Sequence, residues 1–224
     1  MNKMVSEKAN AEVLAREVAK GLLSIGAVFL RPDQPFTWAS GIKSPIYCDN
    51  RLVLTAPAVR EAVEKGIAQV VGTEFPDCEV LMGTATAGIA HAAIAGYLLG
   101  MPMGYVRSGA KDHGRANRIE GKLDAGAKVV VVEDLISTAK SSLETVDALR
   151  EAGADVLGMV SIFTYGMQAG KDKMAQAGVR AVSLCTLDIL LEVAVEEGYI
   201  RAEDCAKLIA FRDNPSDESW MTKK

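Results

Sequence analysis

The chain has 224 residues, 49% of them hydrophobic, which is enough for a full core in one domain with a small appended segment. Its 25 basic side chains against 29 acidic ones give a net charge of −4, which argues against a nucleic-acid binder, so any anion site must be a local basic cluster. Cysteines 48, 78, 185 and 205 have no CxxC spacing, His91 and His113 complete no metal pattern, the N-terminus has no signal-type apolar core and no run spans a membrane. These features give the expectation of a soluble cytoplasmic protein with free thiols.

The first predicted element is a helix over 6–24, where Val13, Leu14, Ala15, Val18, Leu22 and Leu23 recur at helical spacing. Residues 27–50 are short and broken, with prolines at 32, 35 and 45. Thr55 before Pro57 suits a helix start, and that helix is expected to run to about Val71. Beyond it, strands are predicted at 79–83, 103–107, 128–134, 156–163 and 180–185. Helices are predicted at 88–99, 141–152, 168–177, 187–197 and 202–212. This alternation implies an α/β fold with a central, mostly parallel sheet flanked by helices. "VVVVEDL" reads as its central strand, because a strand buried on both faces is a continuous apolar run. Ligands in such sheets bind at the carboxyl ends of the strands.

Three loops fall at that edge. In "EDLISTAKSS" (133–142), the carboxylates of Glu133 and Asp134 are expected to emerge there. Ser141 and Glu144 form an S-x-x-E capping pattern for the next helix. The hydroxyls of Ser137, Thr138 and Ser141, the backbone N–H groups and the helix N-terminus suit a phosphate. Carboxylates repel phosphate but accept from hydroxyls, so a ligand with both a phosphate and a vicinal diol, such as a ribose 5-phosphate, resolves the mixture. A P-loop fails because Asp134 and Ala139 stand where its glycines are required. The plainer reading, a strand-end salt bridge and a capped helix, stays open. The second loop, "GTATAG" (83–88), has glycines that permit unusual backbone angles and small residues that allow close approach of an anion; a plain tight turn is its alternative. The third, "RSGAKDHGRANRIEG" (107–121), carries Arg107, Lys111, His113, Arg115 and Arg118 between glycines, and reads as a lid over an anionic substrate or as a solvated loop.

"VVVVEDLISTAKS" resembles the phosphoribosyl diphosphate (PRPP) signature of type I phosphoribosyltransferases. "FTWASGIKSPIYCDNR" (36–51) and "YVRSGAKDHGRANRIEG" (105–121) narrow the resemblance to the orotate phosphoribosyltransferases. It spans about residues 20–165 and implies one domain over 1–224, with about 1–50 contributing a hood. It implies transfer of phosphoribose from PRPP to orotate, Mg²⁺ held mainly by PRPP with no firm protein ligand, and a homodimer that shares its lids across the interface. On the same resemblance, Glu133 and Asp134 bind the ribose hydroxyls. Leu135, Ile136, Ser137, Thr138, Ala139, Lys140 and Ser141 form the 5-phosphate loop. Thr84 and Ala85 serve the pyrophosphate, and Arg107, Lys111 and His113 are lid and catalytic residues. Ser137, Tyr47 and Lys43 touch orotate. Tyr47 is also readable as a structural aromatic, His113 as a lid-surface histidine, and His91 as a packed structural one. The family usually has glycine at the position of Ala139, so a β-carbon there is awkward if the backbone needs positive φ. No arginine near 163–168 matches the orotate-binding arginine of some relatives. Two other readings stand beside this one: a purine phosphoribosyltransferase, and a non-catalytic PRPP-sensing regulator that binds RNA or DNA.

Overall fold

The computed structural model describes residues 2–38, 41–107 and 118–222, with side chains from Ala9 onward. Its elements in chain order are α1 (Asn2–Ser24), β1 (Val28–Leu30), β2 (Phe36–Thr37), β3 (Lys43–Ser44), β4 (Ile46–Cys48), α2 (Pro57–Glu74), β5 (Val80–Thr84), α3 (Gly88–Leu99), β6 (Met103–Val106), β7 (Ile119–Glu120), β8 (Lys128–Ile136), α4 (Lys140–Glu151), β9 (Asp155–Thr164), α5 (Gln168–Gln176), β10 (Ala181–Thr186), α6 (Leu187–Glu196) and α7 (Cys205–Asp213). Single 3-10 helices lie at Asn50–Thr55, Ala202–Asp204 and Glu218–Thr222.

Six strands form one sheet in the order β10-β9-β8-β5-β6-β7. The first five are parallel and β7 runs antiparallel to β6. The run of valines in β8 follows from its central position: Val130 and Val132 enter one core, Val129 and Val131 the other. The first core draws on α1, α2, α3, α6 and α7, and the second on α4 and α5, so helices cover both faces. All four cysteines are free. No described helix is long and apolar enough to cross a membrane.

Ahead of α2 lie two small antiparallel pairs, β1 with β4 and β2 with β3. They sit at the carboxyl end of the sheet: Asn50, directly after β4, donates its amide to the Asp134 carbonyl at 2.7 Å. The expected helix 202–212 divides into the 3-10 turn at 202–204 and α7, because Asp204 accepts from the Arg201 backbone and side chain and starts the chain anew. β7 was not expected. It is two residues long in a polar stretch, and only its pairing with Tyr105 and Val106 makes it a strand.

Candidate active site

The site is built where β8 ends. The strand pairs with β9 as far as Ile136, so the two acids lie inside it rather than beyond it. Glu133 is a correction to the expectation that both carboxylates emerge. It is 4% exposed, and it accepts from the Thr84 hydroxyl at 2.6 Å, the Ser142 hydroxyl at 2.8 Å and the Asp134 N–H at 3.0 Å. Burial, with neighbouring Asp134 adding to it, pushes its pKa from 4.5 up to about 7, against the pull of the two hydroxyls. Asp134 is half-buried and keeps the more open position.

A raised carboxylate pKa has a definite sign. The folded state holds the proton more tightly than the unfolded chain, so the contribution to stability is full below about pH 4.5 and is lost as pH rises through about 7. Relative to Glu133→Gln, which cannot ionise, the protein should lose on the order of 3 kcal/mol across that window. Urea unfolding of both proteins between those limits checks it; parallel stability curves would contradict the assignment.

The loop after β8 turns sharply into α4. Ala139 adopts φ 61°, ψ 12°, the left-handed region where a β-carbon is disfavoured. The S-x-x-E capping pattern is not formed: the helix begins at Lys140, its N-cap is Ala139, and no side chain caps it. The next serine, Ser142, donates to Glu133. Among the described residues, the N–H groups of the first turn therefore lack both intrahelical and side-chain partners. A left-handed residue followed by a helix start aims successive N–H groups into one concavity, which favours an anion. Thr138, Lys140 and Ser141 are exposed around it. Ile136 contributes main chain only, because its side chain is buried in the core under α4.

In the 83–88 loop the glycines serve close packing rather than unusual angles; neither Gly83 nor Gly88 has positive φ. A β-carbon on Gly88 would lie 2.4 Å from the Val132 carbonyl oxygen and 2.6 Å from the Thr84 hydroxyl. Gly88→Ala should therefore push α3 off β8 and cost about 1–3 kcal/mol, read as a lower Tm; an unchanged Tm would contradict this packing. The peptide Ala85–Thr86 is cis. Thr84's hydroxyl is committed to Glu133, and Ala85's N–H to the Val106 carbonyl at 3.1 Å. What this loop offers an anion is the N-terminus of α3.

Of the basic loop, Lys111 and His113 lie outside the described residues, as do Ser108 and Arg115. Its two ends are fixed as a stem. Arg107 donates its N–H to Arg118 O at 2.8 Å, Arg118 Nε returns to Arg107 O at 3.2 Å, and Arg107 pairs with Glu120 at 3.3 Å. Val106, at the root of this stem, pairs in register with Thr84, so the stem stands beside the 83–88 loop.

A cavity of about 760 Å³ opens between the hood and the end of β8. Tyr47, Leu135 and Ser137 line it, three of the residues singled out from the sequence. Lys43 stands behind this wall, its ammonium donating to the Thr37 hydroxyl at 2.6 Å. Sequence reasoning missed Phe29, Arg31, Phe36, Trp38, Cys48 and Tyr165. The signal for the aromatic ones was their density: aromatics are 5% of the chain, yet Phe29, Phe36, Trp38 and Tyr47 all fall between positions 29 and 47. Burial pushes the Cys48 thiol and the Tyr165 phenol well up, so both stay neutral. Arg31, whose guanidinium sits 4.8 Å above the Phe36 ring, is the charged member of the wall.

A parallel α/β sheet with an uncapped helix turn at the end of its central strand, and an aromatic cavity sharing Ser137 with that turn, has the architecture of a class suited to a phosphorylated ligand beside a flat ring. The phosphoribosyl transferase domain model matches residues 52–188. The orotate phosphoribosyltransferases of Bacillus cytotoxicus and Bacillus cereus are 56% and 55% identical to this chain over 209 residues, 93% of it and the full length of each relative. The crystal structure of orotate phosphoribosyltransferase from Aeropyrum pernix aligns with a TM-score of 0.71 at 32% identity, covering 82% of this chain and 99% of that one. The structure of Leishmania donovani UMP synthase aligns at 0.77 with 28% identity, over 94% of this chain and 45% of that one. The chain belongs to the phosphoribosyltransferase family and, within it, to the orotate phosphoribosyltransferases.

Proposed function

We propose that this protein transfers the 5-phosphoribosyl group of PRPP to orotate, giving orotidine 5′-monophosphate and pyrophosphate, as a cytoplasmic homodimer that uses Mg²⁺. The observation that carries the reading is Ser137. It begins the phosphate turn and also lines the aromatic cavity, so a ribose bound between them has its 5-phosphate on one side and a planar base on the other.

The 5-phosphate rests on the N–H groups and hydroxyls of Ser137–Ser141. Asp134, half-buried at the strand end, accepts from the ribose hydroxyls; Glu133 holds the strand end to β5 and α4 through Thr84 and Ser142 and backs Asp134 with a second acid. Orotate stacks in the hood against Tyr47, with Arg31 on the same wall for its carboxylate. The leaving diphosphate meets the α3 N-terminus and, from the lid, Arg107, Lys111 and His113.

Among the described residues no three or more His, Cys, Asp or Glu side chains cluster as a metal cage. With the Glu133 oxygens engaged, Asp134 is the carboxylate at this edge that would face Mg²⁺, an ion that needs few protein ligands. When bound, the ion neutralises charge on the departing diphosphate. The transition state has oxocarbenium character on the ribose, so no protein nucleophile is needed; the chain positions the reactants and stabilises the leaving group. Orotate absorbance, followed in purified protein with PRPP and Mg²⁺ and with each omitted in turn, tests the reading. Adenine and uracil serve as rival acceptors. Loss of orotate that needs both PRPP and Mg²⁺ supports it, and turnover of adenine instead would move the chain to the purine enzymes. PRPP binding with no base turned over would favour a regulator.

A further inference from the structure

The cavity's wall is continued by side chains that never touch it. Trp38 and Tyr165 line the cavity, with ring centroids 6.2 Å apart. Behind Trp38, Phe211 of α7 packs edge-on at 5.6 Å and 89°. Behind Phe211, Trp220 packs edge-on at 6.0 Å and 76°. Phe211 and Trp220 are fully buried. A second tie joins the same segment to the hood: Lys207 Nζ reaches Asp33 Oδ1 at 2.5 Å, in the turn between β1 and β2. Trp38, Phe211 and Trp220 all lie outside the matched domain, 52–188. The indole N–H of Trp220 is buried with no hydrogen-bond partner among the described residues. Burying an unpaired donor costs free energy, so this position holds tryptophan for its ring.

We infer that the C-terminal segment Cys205–Thr222 is a strap that positions Trp38 and Tyr165, and so sets affinity for the base; this rests on the reading that the hood cavity takes orotate. Phe211 and Trp220 are positioning residues that act through Trp38. Edge-to-face geometry fixes ring orientation as well as burial, so an aliphatic side chain of similar bulk keeps the core but frees the ring in front of it.

The test is steady-state kinetics on Trp220→Leu and Trp220→Phe in the full chain. Trp220→Leu should raise the orotate KM about fivefold, with the PRPP KM and kcat nearly unchanged. Trp220→Phe, which keeps an aromatic ring at this position, should restore the orotate KM. The chain has two tryptophans, so Trp220→Phe also leaves Trp38 as the sole indole, and its fluorescence reports orotate binding directly. A lowered Tm in Trp220→Leu with an unchanged orotate KM overturns the inference. Should Trp220→Leu not fold, Phe211→Leu reads the same contact one ring nearer, and failure of both to fold makes the segment a plain stability element. Should wild type turn over no orotate, the proposed activity fails, and Trp38 quenching by orotate then decides the strap by binding alone: weaker binding in Trp220→Leu than in Trp220→Phe supports it, and equal binding overturns it.

Discussion

His91→Ala should lower folding stability by about 3–5 kcal/mol, the cost of breaking a buried ionisable pair from one side. His91 on α3 and Glu64 on α2 are 0% and 1% exposed, and His91 Nδ1 lies 2.6 Å from Glu64 Oε1. Burial raises the Glu64 pKa, and the histidine hydrogen bond opposes that rise. The outer atoms of the pair, Glu64 Oε2 and His91 Nε2, have no partner among the described residues. With the imidazole gone, the carboxyl loses its hydrogen bond and gains no water. The Tm should fall by roughly 6–20 °C for a chain of this size. The double variant Glu64→Leu with His91→Leu should recover much of the loss, because an apolar pair of similar volume needs no partner. A His91→Ala loss below about 1 kcal/mol would show that water or relaxation satisfies Glu64. The sequence suggested a packed structural histidine in "GIAHAAIAGYLLG", and the structure supplies its partner.

Lys111→Ala should lower kcat about a hundredfold with the fold intact, since one pre-organised donor to developing charge contributes on the order of 3 kcal/mol. Lys111 lies outside the described residues, and its role is a proposal. What supports it is the stem. The Arg107–Arg118 hydrogen bonds and the β6–β7 pairing start and end the segment beside the 83–88 loop, where the diphosphate would leave. Unfolding of the variant should match wild type, because the segment's ends are held by Arg107, Arg118 and Glu120. A kcat within about twofold of wild type would refute the role.

Much of the sheet was legible because its signals are local. Strands 103–107, 156–163 and 180–185 lie within one or two residues of β6, β9 and β10, and helices 88–99 and 187–197 match α3 and α6 nearly end to end. β8 runs two residues past its expected end because pairing with β9, a non-local contact, continues through the acids to Ile136. That extension is also why Glu133 is buried: no pattern in "VVVVEDL" distinguishes a carboxylate met by Thr84, 49 positions away, from one facing solvent. The awkwardness of Ala139 was readable, since a residue between a strand end and an immediate helix start is where positive φ is needed, and φ is 61°. The capping pattern at Ser141 misled because it is statistical, and Ala139 already served as the N-cap. The aromatic wall brings residues 38, 165, 211 and 220 together, and nothing local in the chain announces such a meeting.

The central claim is that one ribose bridges the phosphate turn and the hood cavity through Ser137. A crystal structure with orotidine 5′-monophosphate tests it most directly. The account predicts the phosphate on the N–H groups of Ser137–Ser141, the ribose hydroxyls at Asp134, and the base against Tyr47. A phosphate bound away from that turn, or a base outside the cavity, would contradict it.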